Sequence, residues 1–102
     1  MAAVVDTGST DALTLLPSDI ALIDLPYQGS ECIILADGEA VPMNVFFGVV
    51  IWDGFPLPCR ILASNGGALV GMRLLKGHWL MLDARVDGDV LIYPIPSSPA
   101  IP

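Results

Sequence analysis

The residues best placed to do chemistry in this chain are carboxylates, and the most pointedly set is Asp6, in Val4-Val5-Asp6-Thr7-Gly8-Ser9-Thr10. Two β-branched residues lead an acid into a hydroxyl residue and a glycine, the make-up of a strand that ends in a tight turn. A carboxylate can deprotonate water, and a carboxylic acid can polarise a carbonyl and protonate a leaving amine. Peptide hydrolysis without a metal or a covalent intermediate needs one of each. Two carboxyls about 3 Å apart supply both, because they cannot both ionise. The chain has one Asp-Thr-Gly and no Asp-Ser-Gly in its 102 residues.

An Asp followed by Ser or Thr and then Gly turns up by chance in on the order of one 100-residue chain in twenty, so its surroundings must carry the argument. Downstream lies Ala68-Leu69-Val70-Gly71-Met72-Arg73-Leu74-Leu75, a short apolar strand and a glycine leading into a Leu-rich helix. Between the two segments sits the Asp37-Gly38 turn. The other candidates are poorer. His78 is the only histidine and has no Ser or Cys nucleophile motif nearby, which makes it a partly exposed residue at a strand entry. Asp83, Asp87 and Asp89 are turn acids, because a calcium loop needs more oxygen ligands at regular spacing. Trp52 and Trp79 flank hairpins and are expected at the rim of the core or at a dimer contact. No metal or other cofactor is implied.

The elements that must position Asp6 are mostly strands. Asp37-Gly38, Asp53-Gly54 and Asp87-Gly88 each lie between apolar runs, and Asp-Gly is a strong hairpin signal because both residues tolerate positive φ. Between the first two turns, Val41, Met43, Val45, Phe47, Val49 and Ile51 occupy every odd position, predicting a long strand with that face buried. Pro42 marks an edge or projecting ribbon and Gly48 a bend. The remaining arms are Glu31 to Leu35, Phe55 to Ala63 with Pro56 and Pro58 at an edge, Trp79 to Arg85, and Asp89 to Ile95. Two short helices are expected, Pro17 through Asp24 and Met72 to Lys76, the second closed by Gly77. There is no internal repeat and no linker.

Composition bounds the function. The chain is one domain at most, 54% apolar and only 15% charged, with mean hydropathy +0.70 and net charge -7. That bias excludes disorder. Its longest uncharged runs, Ala40 to Trp52 and Val90 to Pro102, are 13 residues each, too short for a spanning helix of about 20. Four Lys plus Arg against eleven Asp plus Glu leave no basic stripe for nucleic acid. The N-terminus has no secretory pattern, so the expectation is a cytoplasmic protein with no membrane partner, in which Cys32 and Cys59 are buried free thiols. Surplus apolar surface on so short a chain points to self-association.

The order of an apolar strand into Asp-Thr-Gly, a hairpin, a Leu-Val-Gly strand, a helix and final strands resembles the retropepsin-like aspartic proteases. It is similar above all to small single-domain bacterial relatives, through Leu35-Ala36-Asp37-Gly38 and Gly71-Met72-Arg73-Leu74-Leu75. The resemblance runs from about Ala3 to Ile95. It implies a mainly β, retropepsin-like closed or half-barrel acid-protease fold with one or two short helices, a single domain over 1–95, and a Pro-rich tail over 96–102. It also implies a homodimeric aspartic endopeptidase acting on a peptide or protein substrate. Asp6, Thr7 and Gly8 would form the catalytic loop, with Thr7 bonding across the axis. Ala36, Asp37 and Gly38 would form a substrate-binding flap, and Leu69, Val70 and Gly71 would support the site from beneath. Apolar cleft walls, expected from composition, would favour hydrophobic side chains flanking the scissile bond.

Two departures from the family pattern accompany the resemblance. Its members carry one or two strands ahead of the catalytic Asp, where only Met1 to Val5 stand here. Arg73 replaces a family Asp or Asn and is expected to need a carboxylate partner. The rival expectation is a catalytically inactive, N-terminally truncated dimeric binding or structural domain. A third, a small-ligand β-barrel carrier, would be monomeric.

Overall fold

A computed structural model describes residues 3–96. The tail expected over 96–102 lies outside the described residues except for Pro96. The strands are β1 Val4–Val5, β2 Leu13–Leu15, β3 Tyr27–Ile34, β4 Ala40–Trp52, β5 Phe55–Ala63, β6 Leu69–Val70, β7 His78–Leu82 and β8 Val90–Pro94, with helices α1 Pro17–Ile23 and α2 Met72–Leu75. Six strands form one sheet in the order β1-β6-β2-β5-β4-β3, and β7 and β8 form a separate antiparallel ribbon. The mainly β class is as expected. The larger sheet is open, with β1 and β3 at its edges, so among the described residues there is no closed barrel.

The three Asp-Gly turns behave differently. Asp53 and Gly54 both take positive φ, 53° and 81°, in a two-residue connection between Trp52 and Phe55. This is the geometry that matches strand twist. In the β3–β4 turn only Gly38 is left-handed, and Leu35 N–H donates to the Glu39 carbonyl to close the hairpin. The third connection is longer than expected: the arms end at Leu82 and begin again at Val90, and Asp87 alone of its Asp-Gly pair has positive φ.

The long strand β4 needs a correction. Its odd residues are inward only as far as Val45. Beyond it, Phe46, Gly48, Val50 and Trp52 turn toward the core, while Phe47, Val49 and Ile51 are exposed. Both faces of this segment are apolar, so period-two counting could not tell which one the rest of the chain covers. At Gly48 the β4–β5 ladder continues without a register shift, so there is no bulge. A Cβ there would lie 2.7 Å from Ile61 Cδ1 and 3.3 Å from Leu25, so the position is small because its neighbours fill the space. The prolines fit better. Pairing with β5 stops at Val45, so at Pro42 β4 pairs only with β3, and β2 covers β5 only over Leu13↔Ile61 to Leu15↔Ala63, leaving Pro56 and Pro58 on a free edge.

The core gathers Ala12, Leu15, Ile20, Cys59, Ile61 and Leu74, with Leu25, Phe46, Val50 and Trp52 packed against it. α1 starts with Pro17 in its first turn and ends where Asp24 takes φ 52°, and it contributes only Ile20 to that core. Of the two thiols Cys59 is buried, but Cys32 is exposed on the edge strand β3, which corrects the expectation of two buried thiols.

Candidate functional site around Asp6

β6 lies between β1 and β2 in the sheet, parallel to the first and antiparallel to the second. The segment joining β1 to β2 therefore has to loop across the end of β6, and Asp6 is the first residue of that crossing. Its N–H donates to the Val70 carbonyl at 2.8 Å, extending the β1–β6 ladder by one rung. Its carbonyl accepts from Ser9 N–H at 3.1 Å, and its carboxylate Oδ1 accepts from Gly8 N–H at 3.0 Å. These bonds tighten the loop and fix the side chain that heads it.

Gly71 underlies this loop. A Cβ on it would lie 2.1 Å from the Asp11 carbonyl oxygen and 2.8 Å from Ser9 Oγ, so only glycine lets the β6 end approach so closely. Gly71 N–H donates to the Ala12 carbonyl and Met72 N–H to the Ser9 carbonyl, each within 2.9 Å, tying the start of α2 to the loop.

A cavity of about 330 Å³ opens beside Asp6. Asp6, Gly8 and Asp11 line it from the loop, Ile34 to Ala36 from the β3–β4 turn, and Met43, Leu62 and Leu69 from the sheet. Among the described residues Asp6 and Asp11 are its only ionisable lining residues, and most of the rest is apolar. A carboxylate against such a wall can hold and activate a water beside an extended apolar chain.

The expected site residues fall into two groups. Asp6 and Gly8 line the cavity, as do Ala36 of the expected flap and Leu69 of the support strand, with Val70 and Gly71 bonded or packed directly behind them. Thr7 is exposed and its hydroxyl makes no hydrogen bond within the chain among the described residues. Asp37 and Gly38 shape the turn without lining the cavity, and the Asp37 carboxylate is occupied by Glu39 N–H at 2.9 Å. Arg73 is exposed and lacks an ion pair among the described residues, so water solvates it and the expected carboxylate partner is not needed.

Sequence reasoning missed one cluster. Arg60 on β5 meets Glu31 of β3 at 2.6 Å and Asp11 of the loop at 3.5 Å. Nothing in the order of residues announces it, because its members come from three distant segments. The Glu31 carboxylate holds the Arg60 guanidinium above its ordinary range, with Asp11 adding to the effect. His78 is half-buried at the entry of β7, its ring 5.7 Å from that of Trp52, and Asp83, Asp87 and Asp89 are exposed. Among the described residues no group of three or more His, Cys, Asp or Glu is placed to hold a metal ion, and no helix is long and apolar enough to cross a membrane.

The comparisons with known proteins return no match, whether to protein-family models, to curated proteins or to solved structures.

Proposed function

We propose that this chain is an aspartic endopeptidase that acts as a homodimer, with water activated between the Asp6 carboxylates of the two copies. The observation that carries the reading is the seat of Asp6: a carboxylate at the head of a tightly bonded loop, on an apolar-walled cavity that the β3–β4 turn also lines. Within one chain the second lining acid, Asp11, already faces Arg60. In this reading the partner carboxyl of Asp6 therefore comes from a second copy. One carboxylate would take a proton from water as its oxygen attacks the peptide carbonyl, while the other carboxyl gives its proton to the carbonyl oxygen; the first would then pass the water proton to the leaving nitrogen, and a hydroxyl of the tetrahedral intermediate would return a proton to the second as the C–N bond breaks. An extended substrate would lie between the loop and the turn, held by backbone bonds and by apolar side-chain contacts.

Surface area supports a partner. Among the described residues there is a surplus of exposed apolar side chains, with Trp79, Met81, Leu91 and Tyr93 together on one face of the β7–β8 ribbon. The same surplus favours the second reading, a dimeric binding domain without activity. The two separate on one comparison: the wild type and Asp6→Asn are each given an unstructured peptide pool between about pH 4 and pH 7. Cleavage by the wild type alone supports the protease, and a dimer that cleaves nothing supports the binding domain.

A further inference from the structure

Arg60, Glu31 and Asp11 converge on the cavity face of the sheet. Glu31 stands opposite Met43 and two residues before Ile33, and Arg60 stands two residues before Leu62, so both share the face on which Met43, Ile33 and Leu62 line the cavity. Asp11 closes the triangle from the Asp6 loop, its side chain only 20% exposed, and its carbonyl rests on Gly71. One guanidinium thus bridges two carboxylates that the backbone does not otherwise connect. One belongs to the segment that carries Asp6, the other to the strand that runs into the β3–β4 turn. That strand needs an anchor: β3 is the sheet edge, and past Val45 toward the turn β3 and β4 pair only with each other. A two-stranded ribbon is marginal by itself.

We propose that Arg60 is a positioning residue, an ionic tie that fixes the β3–β4 turn over the Asp6 loop and so sets the height of the cavity. The planar fork of arginine can face two carboxylates at once, which a lysine ammonium does less well. Arg60 Nε is buried without an acceptor although the side chain as a whole is 35% exposed, so the two carboxylates have only a partial desolvation to offset. The tie exists whatever the cavity binds, whereas its effect on cleavage rests on the protease reading above.

The test is amide hydrogen exchange on the full chain for the wild type, Arg60→Met, Arg60→Lys and Glu31→Gln, with peptide cleavage measured beside it. Leu35 and Gly38 N–H, bonded within the β3–β4 turn, are expected to exchange about fivefold faster in Arg60→Met and Glu31→Gln, with partial recovery in Arg60→Lys. Asp83 N–H, bonded within the β7–β8 turn, should not change. About 0.5 M NaCl should speed the wild-type turn toward the Arg60→Met rate and leave that variant unaffected, which a packing role would not produce. In cleavage, KM should rise more than kcat falls. Unchanged exchange in both variants, equal acceleration at Asp83, or a wild-type turn indifferent to salt would overturn the tie. Should Arg60→Met not fold, Glu31→Gln decides alone, since Glu31 is exposed on the edge strand. Absence of any wild-type cleavage removes the protease reading, and the exchange comparison still decides the tie.

Discussion

The six-stranded sheet and the β7–β8 ribbon are built from similarly apolar sequence and end in opposite conditions. The sheet is sandwiched where β4 and β5 meet: Phe46 and Ile61 face α1 and Leu25, and Val45 and Leu62 face the cavity side. The ribbon is covered on one face alone, where His78 and Ile92 lie beside Trp52. On its other face Trp79 opposes Tyr93 and Met81 opposes Leu91, and all four side chains are exposed. An isolated two-stranded sheet is marginal in water, and an apolar cross-strand face on it needs something to pack against. Apolar content alone therefore does not make a core. What separates the two regions is whether other segments return to cover the face, as α1 and the Asp6 loop do for the sheet.

A matched pair of glycines puts the largest predicted difference on this contrast. Gly71 and Gly88 both have a backbone carbonyl oxygen 2.1 Å from where a Cβ would stand, that of Asp11 for the first and of Asp83 for the second. The loop over Gly71 is held by the sheet, so Gly71→Ala should cost about 3 kcal/mol or more and remove any activity. The turn at Gly88 is free to shift, and Gly88→Ala should stay within about 1 kcal/mol. Thermal unfolding of both variants checks this, and equal losses would break the comparison.

Next in size, Leu74→Ala in the core, where the side chain is 2% exposed, should cost about 3 kcal/mol. Trp79→Ala on the ribbon should cost less than about 1 kcal/mol in denaturant titration of the dilute chain. Replacing Met81 and Leu91 together by lysine should weaken self-association at least about tenfold in sedimentation, leaving the dilute chain folded, if the ribbon face is covered in the assembly. Unchanged association would place the contact elsewhere.

The smallest effect concerns the thiols. Burial raises the Cys59 thiol above its ordinary value of 9.0. Iodoacetamide should alkylate exposed Cys32 in the native chain and reach Cys59 only on unfolding. Because the folded state holds the proton more tightly than the unfolded one, this contribution is complete below pH 9.0 and is lost as pH rises toward the folded value. Cys59→Ser should remove that alkaline limb of the stability curve.

Local chemistry made much of this legible in advance. The Asp53-Gly54 hairpin, both helices and the edge prolines were readable from residues that tolerate few alternatives, whereas the place of Gly71 beneath the Asp6 loop was expected only through the family resemblance. What stayed hidden depends on long-range return of the chain. β2 is three residues long and is a strand only because β5 and β6 flank it. The inward face of β4 changes beside Val45 because α1 and Leu25 cover one side there. The Arg60 cluster joins positions 11, 31 and 60, and no pattern along the chain relates them.

The claim that Asp6 does the chemistry is tested most directly by incubating purified wild type and Asp6→Asn, both confirmed folded and dimeric, with the same peptide pool and identifying products by mass. The account predicts new peptide termini with the wild type and none with Asp6→Asn. Equal cleavage by the two, or none by a wild-type dimer, contradicts it.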